Sequence, residues 1–197
     1  MQIHSAILAG GKNSRYDGMN KAFILVEGKR IIDRNIKVLK SLFPQISIVT
    51  NQADQFIDYA DYPMSSDYFK EIGPLAGIHS ALKNTTADAV FISSCDMPFL
   101  NSDIIKPLIE ASNQNKFQAI IPRWNKNIEP LHAIYHRDLF PILDKYIRNN
   151  ENRSVRVFLK TIECVYIDFS EAKLGNAFTN INRPRDLEVL FSRRLRR

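Results

Sequence analysis

Residues 3–21 read IHSAILAGGKNSRYDGMNK, and the fold follows from how that stretch divides. Its first seven residues, IHSAILA (3–9), form a short apolar run that predicts a β-strand, and the strand runs directly into Gly10-Gly11. Two adjacent glycines allow a turn at positive φ and let backbone N–H groups approach an anion with no Cβ in the way. Lys12, Arg15 and Lys21 then add positive charge along a loop. A triphosphate is the natural guest of such a loop; the competing reading is a surface turn with solvated cations. Two familiar phosphate loops are excluded by spacing. The glycines are adjacent, where the dinucleotide fingerprint needs G-x-G-x-x-G, and no Gly-Lys-Ser/Thr triplet follows four residues after a glycine.

Outward from this loop the same unit recurs, a short β-branched run followed by a helical period. Ile32, Ile36, Leu39 and Phe43 recur on one helix face, with Pro44 as the stop. ISIVT (46–50) predicts a second strand ending at Asn51, and a short extended piece leads through YPMSS to Asp67. Gly73-Pro74 opens a helix that buries Leu75, Ile78 and Leu82, since proline is tolerated in a first turn. AVFIS (89–93) is nearly all apolar, as a strand covered on both faces should be, and it halts at Cys95-Asp96-Met97-Pro98. AIIP (119–122), LHAIY (131–135) and VYIDF (165–169) predict further strands, with a helix from Leu139 through Ile147. Pro184 is expected to start a closing helix that turns Leu187, Leu190 and Phe191 inward. The alternation predicts an α/β fold: a single Rossmann-like three-layer domain around a mainly parallel mixed sheet. The expected boundaries are a domain over 1–191 and a basic tail over 192–197.

In open α/β sheets the ligand lies beyond the carboxyl ends of the strands. Asn51, Asp67 and Asp96 follow the second, third and fourth predicted strands, so three strand ends aim polar groups at one crevice. Asp96, facing phosphates, would be repelled by them unless a cation intervened, which points to Mg²⁺ sharing phosphate oxygens; the alternative is an aspartate turn before Pro98. His4, His79, His132 and His136 form no HExxH pattern and have no cysteine pair nearby, so each is expected to be a hydrogen-bonded structural or surface histidine. Cys95 reads as a buried small residue. Trp124, in the polar stretch PRWNKN, either stacks on a flat ligand or covers the core.

The chain has 197 residues, 45% of them apolar and 24% charged, which suits one packed domain and excludes global disorder. Its net charge is +6, but Arg193, Arg194, Arg196 and Arg197 lie in the last five residues and the body carries only +2 without them. Nucleic-acid binding is therefore not expected. Two cysteines cannot build a four-cysteine zinc site and agree with a reduced compartment. No apolar run approaches the ~18 residues of a membrane span, and the opening residues lack a signal pattern. The expectation is a soluble, cytoplasmic protein with no membrane partner.

The ordered set LAGGKNSRYDGMNKA, Asn51, SSD (65–67), GPLAG (73–77), CDMP (95–98), NRSVRVFL and FTNINRPRDL resembles the molybdenum cofactor guanylyltransferases. More broadly it resembles nucleotidyltransferases of the glycosyltransferase A-type, Rossmann-like fold. The resemblance implies that Gly10, Gly11, Arg15 and Lys21 hold nucleotide phosphates, with Lys21 the main charge stabiliser, and that Leu8 and Ala9 border the base. It further implies that Asn51 and Asp67 contact the nucleotide and that Asp96 binds Mg²⁺. Asn180, Asn182 and Arg153 would lie toward the molybdopterin side, and Pro130 would enter a strand. The implied reaction is in-line attack of a substrate phosphate oxygen on the α-phosphorus of GTP, releasing pyrophosphate and giving a guanine dinucleotide of molybdenum-bound molybdopterin. The implied partners are GTP, molybdopterin, and other proteins of cofactor biosynthesis or target apoenzymes, with the chain a monomer. Where the family has Arg-Met-Gly and Asp-Lys, this chain has Arg15-Tyr16-Asp17 and Asn20-Lys21, so any role of a carboxylate at 20 passes to an amide or to Asp17. The alternatives are a same-fold transferase for CTP or another NTP with a different acceptor, and a catalytically weakened nucleotide-binding relative.

Overall fold

The computed structural model describes residues 1–10, 20–114, 116–170, 176–181 and 186. In chain order the elements are β1 (Ile3–Leu8), β2 (Leu25–Val26), β3 (Lys29–Arg30), α1 (Ile31–Lys40), β4 (Ile46–Val49), β5 (Met64–Ser65), α2 (Pro74–Asn84) and β6 (Ala89–Ser94). They continue with α3 (Ser102–Gln114), β7 (Ala119–Trp124), β8 (Asn127–Ile128), β9 (His132–His136), α4 (Phe140–Asn149), α5 (Val155–Phe158) and β10 (Cys164–Asp168). One mixed sheet runs β10-β7-β9-β6-β1-β4-β5, with β8 paired to β7. β1 is parallel to both β4 and β6, and β4 to β5. β9 is antiparallel to β6 and β7, while β10 returns parallel to β7.

The period-2 alternation of the strands sorts the core into two layers. Ile3, Ile7, Phe91, Ile120 and Ile134 face α1 and α3, whose inner residues include Ile32, Ile36, Ile104 and Leu108. Ala6, Leu8, Val90, Ile92, Ile121 and Tyr135 face α2, α4 and α5 through Leu75, Ile78, Leu143 and Phe158. Helices on both faces of a mostly parallel sheet give the three-layer α/β arrangement expected from the alternation. Among the described residues, no helix is long and apolar enough to cross a membrane.

Several boundaries differ from the sequence reading. α1 ends at Lys40, before Phe43, because Ser41 donates both its N–H and its hydroxyl to the Val38 carbonyl and closes the turn. Phe43 still enters the core, stacked on Phe91 at 5.3 Å. α3 has no counterpart in the sequence reading although Ile104, Ile105, Leu108 and Ala111 carry a clear helical period. Pro107 inside it resembles a breaker, yet proline withholds only one N–H from the ladder. The β2–β3 hairpin and α5 are too short to show a period. Trp124 is the last residue of β7 and stacks on Phe178 at 4.6 Å, so it covers the core. Pro184, Leu187, Leu190, Phe191 and the arginines of the tail lie outside the described residues.

The histidines mostly meet the expectation of hydrogen-bonded structural residues: His79 pairs with Asp144 at 3.0 Å and His136 accepts the Asp138 N–H. His132 does not. It is fully buried between the rings of Phe91 and Phe178, and among the described residues neither ring nitrogen has a hydrogen-bond partner. Burial therefore lowers its pKa from 6.5 to about 3. Below pH ~6.5 the unfolded chain takes up a proton that the native state refuses, so this group's stability contribution falls as pH drops toward 3. At pH 5 the loss is about 2 kcal/mol. His132→Leu should shrink the difference in unfolding free energy between pH 7.5 and pH 5 by about that amount in denaturant titrations. An unchanged pH dependence would contradict the assignment.

Candidate active site

Parallel pairing brings the carboxyl ends of β6, β1, β4 and β5 to one edge, so Asp96, Gly10, Asn51 and Asp67 follow one another across the sheet. On one side of Gly10, Asn51 and Asp67 bond reciprocally: Asn51 Nδ2 donates to Asp67 Oδ2 at 2.7 Å, and the Asp67 N–H donates to Asn51 Oδ1 at 3.0 Å. A Cβ on Gly10 would stand 3.5 Å from Asp67 Oδ2 and 3.9 Å from Asn51 Nδ2, so the glycine leaves the pair uncovered. Burial pushes the Asp67 carboxyl above the ordinary carboxylate range, and the Asn51 hydrogen bond opposes this.

On the other side Lys21 Nζ lies 3.3 Å from Asp96 Oδ2, with both side chains about four-fifths covered. Asp96 Oδ1 accepts the Ser94 hydroxyl at 2.6 Å, and the Asp96 carbonyl accepts the Ile181 N–H at 2.9 Å. The carboxylate is thus held between the Ser94 hydroxyl and Lys21, in the turn of Cys95-Asp96 that ends β6. Lys21 opens a turn of 3₁₀-helix, Lys21–Phe23, at the re-entry of the chain from the glycine loop. Behind it Arg34 ties two loops together, donating to the carbonyls of Pro98 and Val26.

The base of the site is made by residues whose side chains face inward. Leu8 packs beneath α2, where Gly77 allows the close approach: a Cβ there would lie 3.0 Å from Leu8 Cδ1. Gly73 supplies the positive φ of 76° that launches α2 at Pro74, so GPLAG (73–77) is a packing signal as much as a site signal. Ala9 is fully buried, and its carbonyl accepts from Asn20 Nδ2 and Thr50 Oγ1. Leu8 and Ala9 therefore form the floor of the crevice beside Gly10.

Toward β9, Pro130 is buried and its carbonyl accepts the Tyr135 hydroxyl at 2.9 Å. Arg153 Nη1 and Asn180 Oδ1 are buried with no hydrogen-bond partner among the described residues. Glu129, missed by sequence reasoning, sits beside this region. Burial raises its pKa, the Leu131 amide and Arg156 oppose, and the charge of Asp96 raises it further. No spacing signal marks Glu129, because it reaches the site through the short β7–β8 excursion. Gly11, Arg15 and Asn182 lie outside the described residues.

Residues 5–165 match the family of the MobA-like NTP transferase domain. The chain belongs to that family. It is 33% identical over 195 residues to a probable molybdenum cofactor guanylyltransferase of Clostridium perfringens, with 96% of each chain covered. It is also 32% identical over 189 residues to a molybdenum cofactor guanylyltransferase of Aliivibrio fischeri, covering 95% of this chain and 94% of the other. A crystal structure of molybdopterin-guanine dinucleotide biosynthesis protein A from Archaeoglobus fulgidus superposes with a TM-score of 0.79 at 26% identity, over the full length of both chains.

Ser80, absent from the sequence reading, holds Asp67 from behind. Its buried hydroxyl donates to the Ser66 carbonyl at 2.9 Å and accepts the Tyr68 N–H at 3.2 Å, gripping the backbone on both sides of Asp67. Ser80→Ala should lower unfolding free energy by about 1–2 kcal/mol, because two backbone groups lose a partner. Urea denaturation checks this, and a loss below about 0.3 kcal/mol would show that the clamp carries no weight.

Proposed function

We propose that this chain transfers GMP from GTP to molybdenum-bound molybdopterin, releasing pyrophosphate and leaving a guanine dinucleotide. The observation that carries the reading is the pairing of two polar clusters across Gly10: Lys21 with Asp96, and Asn51 with Asp67. A triphosphate nucleotide needs cationic charge at one end and hydrogen-bond groups for its nucleoside at the other. The names of the relatives supply the acceptor.

A phosphate oxygen of the acceptor attacks the α-phosphorus of GTP, a new P–O bond forms, and the bond to the β-phosphate oxygen breaks as pyrophosphate leaves. The attacking oxygen is already anionic and needs little help from a general base. Positioning and charge neutralisation remain as the work of the protein. Lys21 Nζ neutralises phosphate charge as it develops, and N–H groups of the Gly10-Gly11 turn cradle the phosphates, joined by Arg15. Asp96 is a single hard-oxygen donor backed by Ser94, a set that fits Mg²⁺, which keeps several waters and borrows phosphate oxygens. When bound, Mg²⁺ supplies Lewis-acid polarisation of the phosphates. Asp67 offers a carboxylate acceptor held by Asn51, and guanine presents the N1–H and 2-amino donors that such a group takes. Cytosine pairs its single amino donor with acceptors, which favours GTP over CTP. Arg153 and Asn180 would face the acceptor, where their unpartnered atoms await polar groups, and the family resemblance assigns Asn182 to the same task.

Pyrophosphate release in the presence of Mg²⁺, each NTP and molybdenum-loaded molybdopterin tests the reading, which expects turnover with GTP. Lys21→Ala and Asp96→Ala should each reduce kcat by roughly a hundredfold or more, the usual loss of one electrostatic contact made in the transition state. Turnover with CTP alone, or near-normal rates in both variants, would contradict it. Because the Asp67 pKa is raised, GTP affinity should begin to weaken, as pH falls, at a higher pH than an exposed carboxylate would dictate. Asp67→Asn should remove that dependence in titrations of GTP binding.

A further inference from the structure

Asn20 precedes Lys21 and is 1% exposed, and its side chain meets groups from three strand ends. Nδ2 donates to the Ala9 carbonyl beyond β1 at 2.7 Å and to Gln52 Oε1 beyond β4 at 3.3 Å. Oδ1 accepts the Ala22 N–H at 3.0 Å, capping the turn that carries Lys21, and takes the Cys95 thiol beyond β6 at 3.9 Å. The backbone orients this amide without ambiguity: an N–H can only donate and a carbonyl only accept. Both ends are used, and the donating end faces oxygen atoms.

We propose that Asn20 is a positioning residue whose amide fastens the Lys21–Phe23 turn to the ends of β1, β4 and β6 and so holds Lys21 against Asp96. The inference deepens the nucleotidyltransfer reading and rests on it for its kinetic test. In this chain an amide fits position 20 better than the carboxylate of the resembled family, because a carboxylate has no donor for the Ala9 carbonyl and would be a buried charge facing the Ala9 and Gln52 oxygens. The titratable groups around it are the Cys95 thiol, pushed up to about 12 by burial, and the Lys21–Asp96 pair. Asn20 therefore acts through geometry, touching the residues that carry Lys21 and not Asp96 itself.

Two substitutions separate the tether from the cap. Asn20→Asp keeps the shape and the acceptor but loses the donors, and protonation of the new carboxyl restores one of them. Asn20→Ser keeps a cap acceptor for Ala22 but is too short to reach Ala9, and acid cannot rescue it. At pH 8 both should lower kcat about tenfold with the KM of the acceptor within about twofold of wild type. At pH 6 the Asn20→Asp defect, measured against wild type at the same pH, should shrink to about threefold or less while that of Asn20→Ser persists. Independently of activity, acetylation of Lys21 by acetic anhydride without nucleotide, read by peptide mass spectrometry, should run about fivefold faster in both variants. Wild-type kcat and wild-type labelling in both variants would overturn the proposal, as would an Asn20→Asp defect that acid does not relieve. If Asn20→Asp fails to fold, Asn20→Ser decides by the same kcat and labelling criteria. If wild-type protein releases no pyrophosphate with any NTP, the nucleotidyltransfer reading fails. Labelling then decides on Asn20 alone: faster labelling supports the tether, and unchanged labelling rejects it.

Discussion

Parallel pairing of β1 with β4 on one side and β6 on the other is the constraint from which the site follows. Leu8 lies opposite both Val49 and Ser94, so the three strands finish level. The residues just beyond them, Gly10, Asn51 and Asp96, therefore emerge along one edge. A slip of one residue in either pairing would reverse which side chains face each helix layer, driving Ile7 into the layer built for Leu8 and Leu8 into the layer built for Ile7. The two-sided core therefore holds the register, and the register holds the site.

The site is held together by polar contacts made on top of that frame. Lys21 and Asp96 are mostly covered, and each reduces the cost of burying the other's charge. Ser94 and Ile181 fix Asp96 from its own strand end and from the C-terminal segment, while Ser80 and Asn51 fix Asp67 from α2 and β4. Phosphate chemistry asks chiefly for such pre-set geometry, because little covalent work is left to the protein. The arrangement is therefore suited to stabilising charge with little reorganisation.

Much of this was legible in the chain. β1, β4, β6, α2 and α4 follow from periodicity, and Asp67 and Asp96 stand out as carboxylates just past strand-like runs. α3 was hidden by Pro107, and Trp124 looked like a loop residue because its ring partner, Phe178, lies 54 positions away. Glu129 and Ser80 could not be found by pattern, since each acts through neighbours that only tertiary packing supplies. Asn20 was visible only as a departure from a familiar motif. The fold shows why an amide suits that position: its surroundings present both donors and acceptors.

The most direct test is a crystal structure with Mg²⁺ and a GTP analogue whose α,β-bridge cannot be cleaved. The account predicts the triphosphate over Gly10, with Lys21 Nζ on a phosphate oxygen, the ion between Asp96 and the phosphates, and the guanosine beside Asn51 and Asp67. Nucleotide bound elsewhere, with the Lys21–Asp96 pair left untouched, would contradict it.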